Sequence, residues 1–439
     1  MKVLKFGGTS VGSAQRMKEV ASLISDGQQK IVVLSAMSGT TNTLVEIADY
    51  LYKKNPVSAN EVISQLEKKY AAVIEELYTK DSTKQQATAC LKQNFELLRN
   101  FTKQNVFLLF DEKIILAQGE LMSTAMVNLY LQETGRKSVL LPALDYMRID
   151  KNNEPDTAYI REHLTKELAK LPADTEIYIT QGFICRNAYN EIDNLQRGGS
   201  DYSASLIGAA VKADEIQIWT DIDGMHNNDP RFVENTTPVN HLHFEEAAEL
   251  AYFGAKILHP TCVQPAKYAG IPVKLLNTMD PSAPGTVINN ETEHGKIKAV
   301  AAKDNITAIK ITSSRMLLAY GFLRKVFEIF ESYRTSIDMI TTSEVGVSVS
   351  IDNTTNLDAI INELKKFGHV QVDKDMCIIC VVGDLDAQNI GFQSKATEAL
   401  KEIPIRMISY GGSNHNISFL ISAEDKKKAL QSLSDHLFN

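Results

Sequence analysis

Leu195-Gln-Arg-Gly-Gly-Ser-Asp-Tyr-Ser-Ala-Ser205 lies near the centre of this 439-residue chain and has the pattern of a glycine turn that leads into a helix. The two glycines let the backbone turn tightly and bring its N–H groups close to a ligand. Ser200 or Asp201 can cap the helix, whose first N–H groups bind carboxylate or phosphate. Arg197 adds a planar fork suited to a carboxylate. The stretch therefore predicts an anion site, although an ordinary capped helix would need the same residues.

The amino-terminal segment has the rhythm of a parallel α/β sheet. A short strand at residues 2–6 breaks at Gly7-Gly8-Thr9-Ser10, a helix follows, and a second strand at 31–34 ends in the polar loop 35–42. In such sheets ligands gather at the loops beyond the carboxyl ends of the strands. Lys5 precedes the glycines, which matches neither a Walker A loop nor a dinucleotide fingerprint, but it can still reach a phosphate. An exposed lysine at a strand end is the alternative.

Helical patterns then alternate with further strands. Residues 58–110 carry two apolar stripes at helical spacing, which predict a helical hairpin over one side of the sheet. Gln118-Gly-Glu-Leu-Met-Ser-Thr124 is predicted to begin the next helix. Glu120 near that start would favour the helix dipole or bind a substrate ammonium. A strand at 215–219 runs into the carboxylate-rich loop Thr220-Asp-Ile-Asp-Gly224, again a polar loop at a strand end.

Composition narrows the class of protein. The chain is 44% hydrophobic and 23% charged, with a net charge of −8, which argues against a nucleic-acid-binding surface. No apolar run is expected to reach membrane-spanning length, and the amino terminus has no signal-peptide layout. Five scattered cysteines fit a reducing cytoplasm. Cys377 and Cys380 lie in an apolar run that predicts a buried strand in preference to a redox or zinc site.

From about residue 286 the pattern changes to β-branched strands alternating with short helices. Strands and helices follow in the same order twice, and Ile340-Thr-Thr-Ser-Glu344 and Ile408-Ser-Tyr-Gly-Gly-Ser413 hold corresponding places. Two small β-α-β-β-α-β units in tandem are the simplest explanation.

Four motifs together resemble aspartate kinase in order and spacing: Lys5-Phe-Gly-Gly-Thr-Ser10, Arg197-Gly-Gly-Ser-Asp201, Trp219-Thr-Asp221 and Phe253-Gly-Ala-Lys-Ile-Leu-His-Pro260. The resemblance implies an α/β fold, an αβα three-layer sandwich with a mainly parallel sheet (the amino-acid kinase fold), followed by tandem ferredoxin-like ACT units. It implies a catalytic domain at 1–290 and ACT units at 291–367 and 368–439. The implied reaction is ATP-dependent phosphorylation of the β-carboxylate of L-aspartate, the first step towards lysine, threonine and methionine.

The resemblance also implies roles for individual residues. Lys5 would hold the transferring phosphate beside Gly7 and Gly8, and Asp201 would orient the reacting groups or the Mg²⁺ that arrives with ATP. The implied ATP-binding residues further include Ser35, Thr220, Asp221, His226, Arg231 and Lys256. Aspartate would be bound by Thr41, Glu120, Phe183, Arg197 and Ser200. His226 departs from the family, whose members often have tyrosine there.

Similarity to lysine-sensitive members implies an effector pocket formed by Met316, Ala319, Ser336, Ile337, Asp338, Ser343 and Glu344. Ala319 stands where such members often have serine, so we expect feedback by L-lysine with modest affinity. A cytoplasmic homodimer, or a dimer of dimers, without nucleic-acid or membrane partners is expected. Two alternatives remain: an amino-acid sensor that has lost catalysis, which the retained Lys5, Arg197, Asp201 and Lys256 argue against, and a kinase for another carboxylate such as glutamate.

Overall fold

The protein is described from a computed structural model, which covers residues 1–195, 198–254, 259–314, 320–386 and 388–438. The strands are β1 (Lys2–Phe6), β2 (Lys30–Leu34), β3 (Ser138–Leu140), β4 (Ile177–Gln181), β5 (Ile184–Arg186), β6 (Ile192–Asn194), β7 (Glu215–Thr220), β8 (His241–His243), β9 (Val273–Asn277), β10 (Thr286–Asn289), β11 (Ile297–Thr312), β12 (Ile340–Thr342), β13 (Gly346–Ile351), β14 (His369–Gly383), β15 (Ile405–Tyr410) and β16 (Asn416–Ser422). The helices are α1 (Ala14–Ile24), α2 (Thr40–Tyr52), α3 (Pro56–Leu77), α4 (Asp81–Phe101), α5 (Leu109–Glu133), α6 (Thr157–Lys170), α7 (Gly199–Val211), α8 (Phe244–Tyr252), α9 (Gln264–Ala269), α10 (Phe322–Ser332), α11 (Leu357–Leu364), α12 (Phe392–Ala399) and α13 (Lys426–Leu437).

The chain divides into two compact units. The first unit contains Met1–Gly224 and Leu258–Asn290, and the second contains Met225–Ile257 and Glu291–Asn439. The second unit thus includes a segment that the sequence assigns to the catalytic domain. This segment packs in the second unit, because its Val233 is buried in one hydrophobic cluster with Val300 and Leu430.

A mainly parallel sheet forms the centre of the first unit, with its strands in the order β3-β4-β2-β1-β7-β9-β10. β1 pairs in parallel with β2 on one side and with β7 on the other, so that Phe6 lies opposite both Leu34 and Trp219. β10 runs antiparallel to its neighbour β9, and the short strands β5 and β6 form a separate antiparallel pair. The carboxyl ends of β1, β2, β4 and β7 therefore meet at one edge, as the sequence predicted.

The predicted helical hairpin is confirmed as α3 and α4, but the predicted start of the next helix is wrong. α5 begins at Leu109, so Glu120 lies in the middle of the helix and not in its first turn. The start is fixed by Asp111, whose Oδ2 accepts a 2.8 Å hydrogen bond from the Leu108 N–H. An apolar N-cap residue gave the sequence no recognisable start signal.

α5 also corrects the expectation that no apolar segment approaches membrane-spanning length. By length and composition alone this one described helix could cross a membrane, yet most of its apolar window is buried inside the protein. A buried core helix can have the same length and composition as a membrane-spanning helix.

The second unit is built on a six-stranded sheet in the order β12-β13-β11-β14-β16-β15. All of its described pairings are antiparallel. The long strand β11 pairs with β13 only through residues 307–312, whereas β14 follows β11 along nearly its whole length. β14 in turn pairs with β16 through residues 376–382.

The two predicted repeats therefore share one sheet. The first half of β11 lies beside the half of β14 that leads into α12, so it supplies the last strand of the second repeat. The second half of β11 starts the first repeat. Cys377 and Cys380 are fully buried in β14, which confirms a core strand, and burial raises the pKa of the Cys377 thiol to about 12.

Candidate active site

The candidate active site lies at the carboxyl edge of the sheet in the first unit. Close approaches there explain several small residues. A Cβ at Gly8 would lie 2.9 Å from the Ala36 carbonyl oxygen, and a Cβ at Gly182 would overlap the Ser200 side chain. The loops after β1, β2 and β4 are thus packed against one another and against the start of α7.

Lys5 and Asp201 form an ion pair at this edge. Lys5 Nζ lies 2.6 Å from Asp201 Oδ1, and both side chains are largely shielded from solvent. Gly7 adjoins the ammonium, since a Cβ at that position would lie 3.5 Å from Lys5 Nζ. The structure therefore brings together the lysine and the carboxylate that the sequence singled out from positions almost 200 residues apart.

The start of α7 differs from the prediction in its cap. The N-cap is Gly198, in the left-handed region at φ 73°, so neither Ser200 nor Asp201 caps the helix. Gly199 follows at φ 45°, and Ser200 and Asp201 occupy the first helical turn. A Cβ at Gly198 would overlap Cys262 Sγ, which leaves no room for a larger residue. Two consecutive positive φ angles explain why the turn needs both glycines.

Ser35 connects this turn to the loop after β2. Its hydroxyl donates a 2.9 Å hydrogen bond to Ser200 Oγ, and its carbonyl oxygen accepts one of 2.8 Å from Ser123 Oγ. Sequence reasoning missed Ser123. The helical spacing could have predicted it, because Ser123 follows Glu120 by three residues and so lies on the same face of α5.

Glu120 is a buried carboxylate with one free oxygen. Oε1 accepts a 3.2 Å hydrogen bond from the Ala36 N–H, while Oε2 is buried and has no hydrogen-bond partner among the described residues. Burial raises the pKa of Glu120 to about 7, and the bond from Ala36 opposes the rise. A buried anionic oxygen without a partner is costly, so this position is suited to an ammonium group supplied by a ligand.

Thr41 and Phe183 occupy the starts of two further segments at this edge. Thr41 is the second residue of α2, whose N-cap Gly39 has φ 79°. Phe183 itself has a left-handed φ of 66°, uncommon for an aromatic residue, and its N–H donates a 2.9 Å hydrogen bond to Ser203 Oγ. Backbone strain of this kind often accompanies ligand sites.

The predicted nucleotide residues are distributed over both units. In the first unit, Thr220 Oγ1 donates to Asp221 Oδ1 at 3.1 Å, at the end of β7. In the second unit, His226 Nδ1 lies 2.9 Å from Thr236 Oγ1, and the exposed Arg231 forms a two-point ion pair with Asp229. Arg197 and Lys256 lie outside the described residues.

Among the described residues of the predicted effector pocket, Asp338 has a carboxylate with two side-chain partners. Its carboxylate is buried, with Oδ1 bound by Lys303 Nζ at 2.7 Å and by Tyr252 Oη at 2.6 Å, and Lys303 also lies 4.3 Å from the centre of the Tyr252 ring. Although burial by itself lowers the pKa of Lys303, the bonds to Asp338 and Asp352 raise it overall. Asp338 thus already binds an ammonium group that belongs to the protein.

Four of the other predicted effector residues lie just before or just after β12. Ser336 and Glu344 are exposed, Ile337 packs against the core of the first repeat, and the Ser343 N–H donates to the Gly346 carbonyl at 2.8 Å. Met316 and Ala319 lie outside the described residues. Lys303 and Tyr252 were missed, because nothing in their local sequence points to a contact with Asp338.

A lysine at a strand end, a glycine turn that starts a helix and a buried carboxylate, all at the edge of an α/β sheet, are the features of a phosphotransferase that acts on a small charged metabolite. Comparison with known families makes the class specific. Residues 1–277 match the amino acid kinase family, and residues 379–437 match an ACT domain. The chain belongs to the amino acid kinase family and, within it, to the aspartokinases.

Individual relatives support this placement over the full length. The lysine-sensitive aspartokinase 3 of Escherichia coli is 34% identical, and the alignment covers 99% of each chain. The crystal structure of E. coli aspartokinase III in complex with aspartate and ADP (R-state) superposes with a TM-score of 0.84 at 33% identity, covering 100% of both chains. The same enzyme in complex with lysine and aspartate (T-state) gives 0.82 at 34% identity and 100% coverage of both chains.

Proposed function

We propose that this chain transfers the γ-phosphoryl group of ATP to the β-carboxylate of L-aspartate, giving 4-phospho-L-aspartate and ADP. The observation that carries the proposal is the Lys5–Asp201 pair at the start of α7. Phosphoryl transfer needs alignment and charge neutralisation more than covalent help from the protein. The aspartate carboxylate is itself the nucleophile, so the site needs no strong general base.

The substrate is bound at both ends of its zwitterion. Glu120 binds the ammonium, which supplies the partner that Oε2 lacks within the described protein. Arg197 binds the α-carboxylate with its planar fork. Thr41, Phe183 and Ser200 complete the aspartate site. Aspartate binding thereby relieves the cost of an unpaired buried carboxylate, which favours an amino acid over a simple dicarboxylate.

The transferring phosphoryl group lies against Lys5 and the backbone at Gly7 and Gly8. When ATP binds, its phosphate oxygens compete with Asp201 for the Lys5 ammonium, so Asp201 is released to orient the reacting groups. Ser35 stabilises the phosphates from the loop after β2. Thr220, Asp221, His226, Arg231 and Lys256 bind the nucleotide.

Mg²⁺ accompanies ATP in this proposal. The ion prefers oxygen ligands and retains waters, and a single carboxylate beside phosphate oxygens is its usual protein environment. Asp201 offers such a carboxylate at the phosphate end of the site, so the residues fit the ion. Bound there, Mg²⁺ would neutralise charge on the phosphates.

The carboxyl-terminal repeats provide feedback regulation by L-lysine. E. coli aspartokinase III has been solved in complex with lysine and aspartate in a T-state. In this chain Asp338 is suited to an ammonium, since it already binds that of Lys303. An incoming lysine must compete with Lys303 and Tyr252 for the carboxylate, which favours modest affinity, with Met316, Ala319, Ser336, Ile337, Ser343 and Glu344 around it.

The same proposal sets the wider context of the enzyme. It works in the cytoplasm as a homodimer or a dimer of dimers, at the first step towards lysine, threonine and methionine. We keep the predicted domain limits of 1–290, 291–367 and 368–439, except that the first half of β11 completes the second repeat. The retention of Lys5 and Asp201 as a close pair argues against a sensor without catalysis.

A coupled ATP-consumption assay with aspartate, glutamate and N-acetylglutamate tests the activity. We expect turnover with aspartate alone, and inhibition when lysine is added but not threonine or methionine. Turnover with glutamate in preference to aspartate would refute the substrate. Absence of ATP consumption with all three acids would support the sensor alternative.

A further inference from the structure

A cluster of two histidines and a glutamate lies in the second unit, apart from every residue considered so far. His243 ends β8 and is the N-cap of α8, Glu245 is in the first turn of that helix, and His415 directly precedes β16. Segments 170 residues apart in sequence thus bring three side chains with metal-binding atoms to one place.

The distances between these side chains are close to those between the ligands of a bound metal ion. The two imidazole rings are stacked with centroids 5.3 Å apart, and His415 Nε2 lies 2.8 Å from Glu245 Oε2. One ligand atom from each of the three residues lies within 4.8 Å of the others. Tetrahedral zinc, with bonds of about 2.0–2.1 Å, holds its ligands roughly 3.3 Å apart. Small side-chain rotations would therefore suffice.

The surroundings also suit a cation. Glu246 is almost completely buried, its Oε2 accepts a 2.8 Å hydrogen bond from the His243 N–H, and its Oε1 has no partner among the described residues. His415 Nδ1 is likewise buried and unpartnered within the described part of the chain. The nearby Lys298 is neutralised by Glu293, so its charge does not dominate the site.

We propose that His243, Glu245 and His415 bind one divalent transition-metal ion of the zinc class, with water as the fourth ligand. Two imidazoles and a carboxylate are ligands that zinc prefers, and three protein ligands leave one position open. Glu246 acts from behind the ligands, where it holds the backbone at His243. The ion would tie the start of α8 to the start of β16.

The competing explanation is a plain hydrogen bond between His415 and Glu245. His415→Gln separates the two, because glutamine can still donate to Glu245 but is a poor zinc ligand. His243→Ala removes the other imidazole. His436→Gln is the matched control, since His436 is an exposed histidine on α13 of the same unit.

The test uses the full-length chain, stripped with EDTA and titrated with ZnCl₂ by calorimetry. We expect one site per chain with a Kd of micromolar or below, unchanged in His436→Gln and weakened at least a hundredfold in His415→Gln and His243→Ala. Zinc should raise the thermal midpoint of the wild type and EDTA should reverse the rise. Equal zinc binding by all four proteins, or none by the wild type at 100 µM added zinc (about a hundred times the expected Kd), would overturn the proposal.

The visible absorption of bound Co²⁺ tests the proposed site in the wild-type protein alone. Co²⁺ in the wild-type site should show the strong visible absorption of four-coordinate cobalt. One equivalent of Zn²⁺ should displace the Co²⁺ and abolish this absorption. A spectrum indistinguishable from that of hydrated Co²⁺ would also overturn the proposal, whether or not the variants fold.

Discussion

Replacement of Glu120 by glutamine tests the proposed ammonium site most directly, because the buried carboxylate has a pKa of about 7 against an ordinary value of 4.5. A folded-state pKa raised in this way means that stability is complete below pH 4.5 and is lost as the pH rises through 7. The full cost of ionising the buried group is about 3 kcal/mol, of which about 2 kcal/mol falls between pH 5.5 and 8.5. Glutamine does not titrate, so the variant should lack this part of the pH dependence.

Aspartate binding should show the opposite trend. Ionised Glu120 binds the substrate ammonium, so the aspartate KM of the wild type should fall about tenfold between pH 6 and pH 8. In Glu120→Gln the KM should be nearly independent of pH in this range. At pH 8 it should exceed the wild-type value by about 10- to 100-fold, the result of losing a hydrogen bond to a charged group.

Steady-state kinetics at saturating ATP and thermal midpoints across the same pH range provide the two measurements. Glu112→Gln is the control, since Glu112 lies on the same helix but outside the site and accepts a hydrogen bond from the Tyr52 hydroxyl. An aspartate KM that Glu120→Gln leaves unchanged at pH 8 would refute the ammonium assignment. A pH dependence of stability shared by wild type and variant would refute the buried titration.

Substitutions at four further residues test the remaining roles. Lys5→Ala should lower kcat roughly a hundredfold or more with little change in the aspartate KM, and a near-normal kcat would return Lys5 to a structural role. Arg197→Ala should raise the KM for aspartate much more than that for ATP, with partial rescue by Arg197→Lys in the same assay. Tyr252→Phe removes a hydroxyl that competes with the effector for Asp338, so the half-inhibitory lysine concentration should fall about fivefold, whereas no shift would separate Asp338 from the effector. Glu344→Ala should relieve inhibition in lysine dose–response curves while uninhibited kcat stays within a few fold, and retained inhibition would exclude Glu344 from the pocket.

The local sequence was enough to predict those parts of the fold that depend on backbone conformation and on the burial of apolar runs. The turn before α7 requires glycines, and the apolar run around Cys377 predicts a buried strand, so both were expected. The start of α5 was not, because Leu108 is an apolar cap and the stabilising carboxylate of Asp111 follows inside an apolar run. Capping by a side chain three residues later leaves a weak signal in the sequence.

Long-range contacts limited the prediction of the sites. The motifs that carry Lys5 and Asp201 could each be recognised, whereas their 2.6 Å contact follows only once β1 lies beside α7. Lys303 and Asp338 are 35 residues apart, and Tyr252 comes from a different segment of the second unit. Pairings of this kind depend on which distant segments become neighbours in the fold, and the local pattern of one segment does not specify its neighbours.

The sharing of β11 has a consequence for dissecting the regulatory region. A fragment that ends before β14 would leave most of β11 without its neighbour, and a fragment that begins at β14 would lack the strand that completes the second repeat. Either fragment would expose a long unpaired edge and tend to aggregate. In chain order, the first repeat therefore interrupts the second. Only a piece that starts ahead of residue 297 and runs through α13 keeps every strand paired.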